Sequence, residues 1–141
     1  MRRITDTADA TAPGTRRGAN DAMVLAVLGA ANGPLSAYDI LARLRPARPR
    51  IAPVTVYRAL GHLMRAGAVL RIASLNAYMT ADPGRRGPVM LAICDACGRE
   101  QQRDAAPEMA RITELLAQDG FCAAHPMVEV HGRCGDCVAA Q

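Results

Sequence analysis

The chain has 141 residues, half of them hydrophobic but only 3% aromatic, and a net charge of +4. That length holds one compact domain or two small ones, with a core drawn mainly from Ala, Val, Leu, Ile and Met. No apolar run approaches the roughly 20 residues of a membrane helix, and Met1-Arg-Arg leads into no signal-peptide core, so a soluble, cytoplasmic protein with no membrane partner is expected.

Charge is distributed unevenly. All 17 basic residues are Arg, and residues 1–71 carry 11 of them against 4 acids, whereas residues 72–141 carry 6 against 9. A basic first half suits a polyanion, and the acidic second half has some other task.

Residues 1–19 show no apolar period and are expected to form a disordered arm. From Asn20 the pattern changes: Met23, Val24, Val27, Leu28 and Ala31 recur at helical spacing until Asn32-Gly33-Pro34 stops them. Ser36 then suits an N-cap, with Asp39 completing a capping-box-like pair and Leu35 with Ile40 a hydrophobic staple. Ile40, Leu41 and Leu44 make that helix's buried stripe, and Pro46 and Pro49 end it. A third helix is expected between Pro53 and Gly67, Pro suiting the first turn and Gly the C′ position. Val56, Ala59, Leu60 and Leu63 form one of its faces. Thr55, Arg58, His62 and Arg65 form another, and an Arg on such a face can bond a guanine edge bidentately.

Residues 69–73 and 77–80 read as two short strands around a Ser74-Leu-Asn76 turn. Three helices and a hairpin are the order of a winged helix, with Arg71 placed where a wing meets a phosphate. Asp82-Pro-Gly-Arg-Arg-Gly-Pro88 is a breaker cluster and the expected hinge. Beyond it come a strand at 89–93, a second at 98–103, a helix from Asp104 to about Asp119 with Met109, Ile112, Leu115 and Leu116 facing inward, and a last strand at 127–131. The expected organisation is an arm (1–19), a winged-helix domain (20–81), a hinge (82–88) and a small α/β domain (89–141), an α+β chain overall. The second unit is small enough that pairing with a copy of itself is expected.

Two Cys-x-x-Cys knuckles, Cys94-Asp-Ala-Cys97 and Cys134-Gly-Asp-Cys137, supply four sulfurs, the closed tetrahedral set that structural zinc prefers. Such a set leaves no open position for water or substrate, which argues against metal catalysis. Two disulfides are the alternative pairing of these residues, and zinc fits a reducing cytosol better. Elsewhere no nucleophile, base and orienting group cluster, so an enzyme is not expected.

Several of these segments, in this order, resemble the ferric uptake regulator family: Ser36-Ala-Tyr-Asp-Ile-Leu41, Thr55-Val-Tyr-Arg-Ala-Leu60, Arg71-Ile-Ala-Ser-Leu-Asn-Ala-Tyr78, Ile93-Cys-Asp-Ala-Cys-Gly98 and Val130-His-Gly-Arg-Cys-Gly-Asp-Cys137. Ser-Ala-Tyr-Asp and Ser-Leu-Asn-Ala-Tyr bring the chain nearest to the zinc uptake regulators, and the likeness spans roughly residues 20–138. The resemblance implies a homodimeric repressor whose winged helix binds double-stranded, palindromic DNA operators. Its second domain would dimerise around one structural zinc per subunit, held by Cys94, Cys97, Cys134 and Cys137. Tyr38 and Arg58 fall on positions that read bases or lie beside those that do, Tyr57 lies on the same recognition helix, and Thr55, His62, Arg65 and Arg71 complete the expected DNA-facing set.

The resemblance fails at the regulatory metal site. Ala81 and Gly84-Arg-Arg-Gly-Pro88 stand where the family carries Cys or His ligands, and the Glu expected after the first knuckle is replaced by Gln102. Arg cannot ligate a cation, and its charge repels one. The remaining sensor candidates are Asp82, Glu100 and His125, with Glu108, Cys122 and His131 further off. The expectation is therefore a repressor with weakened or lost metal sensing. The alternatives are a zinc-responsive repressor using substitute ligands, and a partner that heterodimerises with an intact regulator.

Overall fold

The computed structural model describes residues 13–84, 87–124 and 126–140. Its elements are α1 (Pro13–Gly29), α2 (Ala37–Leu44), α3 (Pro53–Arg65), β1 (Val69–Ile72), β2 (Ala77–Thr80), β3 (Val89–Cys94), β4 (Glu100–Asp104), α4 (Ala106–Gln118), β5 (Met127–Gly132) and α5 (Gly135–Ala139). The three-helix unit has the expected order. Its first helix begins at Pro13, seven residues before the apolar period does. Residues 13–19 are thus helical rather than part of a disordered arm, and residues 1–12 of the expected arm lie outside the described residues. The early turns carry Arg16, Arg17 and exposed polar positions, so they have no buried stripe by which periodicity could mark them.

Val24, Leu28, Ile40, Leu41, Leu44, Val56, Leu60 and Leu63 of the three helices pack into one core with Val69 and Tyr78 of the β1–β2 hairpin. α2 enters this core through a complete capping box. The Ser36 hydroxyl accepts from the Asp39 N–H at 3.1 Å, and the Asp39 carboxylate accepts from the Ser36 N–H at 3.1 Å and from its hydroxyl at 2.6 Å. Leu35 and Ile40, the staple pair, are both buried. Hydrogen bonds from the Ser36 hydroxyl and then its backbone N–H hold the Asp39 carboxyl below its ordinary value. Its contribution is accordingly present above the usual carboxylate range and is lost as pH falls through the lowered folded value. Ser36→Ala should cost about 1 kcal/mol, read as a shift in urea midpoint at neutral pH that narrows under acid.

The hairpin is antiparallel, with Arg71 opposite Tyr78 and Ile72 opposite Ala77. Leu35 joins it through reciprocal backbone bonds with Tyr78 of 2.9 and 2.8 Å, a third short strand at the entry to α2. Asn76 closes the turn at φ 48°, a left-handed position that Asn accepts more readily than most residues.

The second sheet has the order β4-β3-β5, with β3 antiparallel to β4 and parallel to β5. The chain reaches β5 only after α4, as a parallel pair requires a crossover. The Asp104 carboxylate accepts from the Ala106 N–H at 3.1 Å and so serves the start of α4. Of the four apolar residues expected to face inward from α4, only Met109 is buried. Ile112, Leu115 and Leu116 are exposed, Leu115 at 63%, because no other described element of the chain covers that side. Ile72 of the hairpin is fully buried against Leu91 and Ile93 of β3, with Met79 and Met127 beside them. The hairpin therefore lies between the helices on one side and the second sheet on the other. Of the expected 82–88 hinge, Arg85 and Arg86 lie outside the described residues.

Candidate metal centre and nucleic-acid interface

β3 and β5 run side by side and in the same direction, so both knuckles emerge at one end of the sheet, with Cys94 opposite Gly132. The first knuckle turns tightly. The Gly98 N–H bonds the Cys94 carbonyl at 2.9 Å and the Cys94 N–H returns to the Arg99 carbonyl at 2.8 Å, with Gly98 at φ 73°. The second knuckle leads into α5, which the sequence pattern did not mark. The Val138 N–H there bonds the Cys134 carbonyl at 2.9 Å.

The sulfurs of Cys94, Cys97, Cys134 and Cys137 all lie within 4.8 Å of one another. Zinc–sulfur bonds of about 2.3 Å place tetrahedral sulfurs about 3.8 Å apart, and Cys97 Sγ and Cys134 Sγ are 3.7 Å apart. The cluster fits a zinc ion, and none of these cysteines is in a disulfide. Its protonation chemistry points the same way. The backbone N–H of Cys134 donates to Cys94 Sγ at 3.3 Å, and this bond, followed by others from Cys97 and Ala96, pulls the Cys94 thiol down to about 6. Cys137 is pushed up to about 12, first by its hydrogen bond with Cys134 and then by that with Cys97. One sulfur is stabilised as thiolate by the N–H groups around it, while another is held to its proton by the hydrogen bonds it makes with its neighbours. A divalent cation releases the protons that remain. Arg99, paired with Asp136 at 2.5 Å, bridges the two knuckles from outside.

Cys122 is exposed and apart from this set. Of the sensor candidates, His125 lies outside the described residues. Asp82 donates its backbone N–H to Gln102 Oε1 at 3.1 Å, and Glu100 is half-buried, with its carboxylate facing Gly33. The four cysteines are the only group of three or more His, Cys, Asp or Glu side chains within metal-binding reach among the described residues.

The expected DNA-facing residues lie on the helical unit and the hairpin. Arg58 and Arg65 are exposed on the outer face of α3, and Tyr57 flanks them at 47% exposure. Tyr38 is 68% exposed at the start of α2. Thr55 and His62 sit on the flank nearer α1, where they line a cleft with Arg17, Asn20 and Arg58. His62 Nδ1 is 3.3 Å from Asp21 Oδ1, so this side chain is tied to α1 rather than projecting with Arg58. Beside the same cleft, Arg48 and Arg50 gather near the start of α3. Arg71 is exposed on the hairpin, where its guanidinium reaches Asn76 Oδ1 at 3.5 Å.

Three polar residues of the second sheet were given no part in joining the two units by the sequence, although they touch the hairpin: Gln102, Glu129 and His131. A signal existed in Val128-Glu-Val-His131, whose alternation puts Glu129 and His131 on one face. The natural reading turns the valines inward, yet Val130 is exposed and Glu129 is half-buried.

No family model matches the chain. The zinc uptake regulation protein of Escherichia coli (strain K12) is 36% identical over 121 residues, which cover 84% of this chain and 70% of the relative. The protein of the same name from Shigella flexneri matches to the same extent. Among solved structures, a zinc uptake regulator complexed with zinc and DNA superposes with a TM-score of 0.79 at 34% identity, covering 86% of this chain and 82% of that one. A holo Zur protein superposes at 0.77 with 32% identity, covering 85% and 84%. The ferric uptake regulator of Helicobacter pylori, 18% identical with a TM-score of 0.56, shares the fold.

Proposed function

The chain belongs to the ferric uptake regulator family, in its zinc uptake regulator branch, and as a member we propose that it is a repressor that binds operator DNA as a homodimer with one structural zinc per subunit. The family consists of metal-responsive transcription regulators rather than enzymes. The division of labour follows the two cores. The helical unit and its hairpin meet DNA, the second sheet with α4 dimerises, and the four cysteines staple that sheet. Among the described residues no helix is long and apolar enough to cross a membrane, and the place of action is the cytoplasm, where DNA is reached.

The observation that carries the DNA reading is the outer face of α3, where Arg58 and Arg65 project beside an Arg-lined cleft while the opposite face is sealed in the core. In this reading Arg58 reads a base edge, Tyr38 and Tyr57 flank it, Thr55 and Arg65 support the contact, His62 serves it by holding α3 to α1 through Asp21, and Arg71 anchors a phosphate from the hairpin. The exposed Ile112, Leu115 and Leu116 face of α4 supports homodimer formation, since a second copy would cover it.

Weakened regulatory sensing is supported by Gln102. The neutral side chain that stands in place of the family's Glu is already bonded to the backbone at Thr80 and Asp82. Zinc content should then be one ion per subunit. A second ion that raises operator affinity would instead favour a zinc-responsive repressor built on His125, Glu100 and Asp82.

Arg58→Ala tests the reading directly. At fixed salt it should reduce discrimination between selected and random duplexes about ten- to hundredfold, because a lost bidentate base contact is worth about 1–3 kcal/mol. An unchanged specificity ratio removes Arg58 from the base-reading role.

A further inference from the structure

Gln102 and Glu129 are both register partners of Leu91, one on each neighbouring strand. The three residues form a single rung across the second sheet, and paired positions on neighbouring strands share a face. That face meets the β1–β2 hairpin. Leu91 packs on Ile72, and both are fully buried. On one side of this apolar contact the Glu129 carboxylate accepts from the Ala73 N–H at 2.6 Å and from the Ser74 N–H at 3.1 Å. On the other, the Gln102 amide donates to the Thr80 carbonyl at 2.9 Å and accepts from the Asp82 N–H at 3.1 Å. One rung therefore grips the hairpin at its turn and at its exit. The next rung adds His131, the partner of Ile93. Its Nε2 lies 2.8 Å from Ser74 Oγ, and its Nδ1 lies 2.8 Å from Asp95 Oδ1.

We infer that Gln102 and Glu129 are positioning residues for DNA binding: the Gln102–Leu91–Glu129 rung is a cradle, made wholly of protein groups, that sets the orientation of the hairpin. This rests on the reading that the hairpin, through Arg71, approaches DNA. The polar contacts go to backbone groups of the hairpin, so the grip depends on where the main chain lies and not on which side chains the turn carries. Glu129 is suited to the task because a carboxylate can take two adjacent N–H groups at once. Gln102 is suited because its amide carries a donor and an acceptor side by side, one for the Thr80 carbonyl and one for the Asp82 N–H two residues further along. Burial raises the proton affinity of Glu129, but hydrogen bonds from the Ser74 hydroxyl and from the Ala73 and Ser74 N–H groups outweigh it and keep the group anionic. The cradle does mechanically what a bridging cation would do between the two units. The hairpin is thereby pre-set before any ligand arrives.

The test uses full-length, zinc-loaded protein and a duplex that the wild type selects from a random pool. Glu129→Gln keeps one acceptor and places N–H groups against an N–H. Gln102→Glu keeps the shape but turns a donor into an oxygen facing the Thr80 carbonyl. Each should speed amide exchange at Ala73 and Ser74, or at Asp82, about tenfold or more, while the α1–α3 amides and the zinc content stay as in the wild type. Each should also weaken binding of the selected duplex about ten- to hundredfold, the range for one lost charge-assisted or buried bond, and Glu129→Ala should lose more than Glu129→Gln. Glu114→Gln, exposed on the side of α4 turned away from Ile112, Leu115 and Leu116, is the control. Should a variant lose zinc or helix protection, Gln102→Leu supplies the second measurement. Faster exchange with unchanged duplex binding, or unchanged exchange in both variants, overturns the inference. If the wild type selects no duplex, the DNA reading itself has failed, and the exchange arm alone then decides whether the cradle holds the hairpin.

Discussion

Cys134→Ser should purify with close to no zinc, and its second sheet should lose structure while the three-helix core remains folded. The reason is the poverty of that sheet's interior. Its cluster consists of Leu91 and Ile93 with Ile72 borrowed from the hairpin. No residue of β5 is fully buried. A unit with so little apolar area cannot offset the entropy of ordering its chain. Structural zinc in small domains supplies about 10–16 kcal/mol of binding free energy, which becomes folding free energy where the site exists only in the folded state. Three sulfurs and a hydroxyl do not replace four thiolates, because a serine hydroxyl in place of Cys134 would not take the ionised role that the set requires. Metal content, helix-resolved amide exchange and sedimentation should fall or hold together as described. A zinc-free variant whose β3 and β5 amides stay protected would sink the idea that the metal is a staple.

The second large effect is expected at Ile72. Ile72→Ala should cost about 2–5 kcal/mol, the range for deleting most of a buried aliphatic side chain when neighbours cannot close the gap. Here they are held in place, since Leu91 belongs to a sheet rung and the hairpin is fixed by Tyr78 and Val69 in the helical core. The loss also falls where the two units share their packing. Urea unfolding followed by zinc-site and helix signals separately should therefore show two midpoints where the wild type shows nearly one. Leu70→Ala, half-buried on the same strand, is the comparison and should cost clearly less. A loss below about 1 kcal/mol at Ile72 would mean that the contact with the second sheet carries little.

The features legible in the sequence were those written in local spacing. The α2 capping box needs only Ser36 and Asp39. The hairpin needs its two short apolar runs and Asn76, and each knuckle needs two residues between cysteines. The early turns of α1 were missed because Arg16, Arg17 and their neighbours make no apolar stripe. α5 was missed because five residues give periodicity nothing to repeat. The inward direction assigned to Ile112, Leu115 and Leu116 was wrong within a single chain: the stripe is real, but no described element covers it. The cradle between the two units was illegible for a different reason. Gln102, Glu129 and His131 bond groups of the hairpin tens of residues away, and no pattern of residue types records where another segment's N–H groups will point. Their polarity suggests solvent, whereas their placement was decided by the hairpin.

The parallel pairing of β3 with β5 also bears on synthesis. The helical core and its hairpin are complete in sequence once Thr80 has been made, so that part can fold while the chain is still growing. β3 and the first knuckle then emerge without their partners. Until residues 127–137 follow, Leu91 and Ile93 have only β4 beside them, and Cys94 and Cys97 are two sulfurs of an unfinished set. Long-range parallel pairing is slow to form, and its unpaired strand is a site for aggregation or wrong partnering. A folded hairpin already offering Ile72 and the Ala73, Ser74 and Asp82 amides would give the nascent sheet a template to settle on. The first half of this protein would in that sense act as the chaperone of the second.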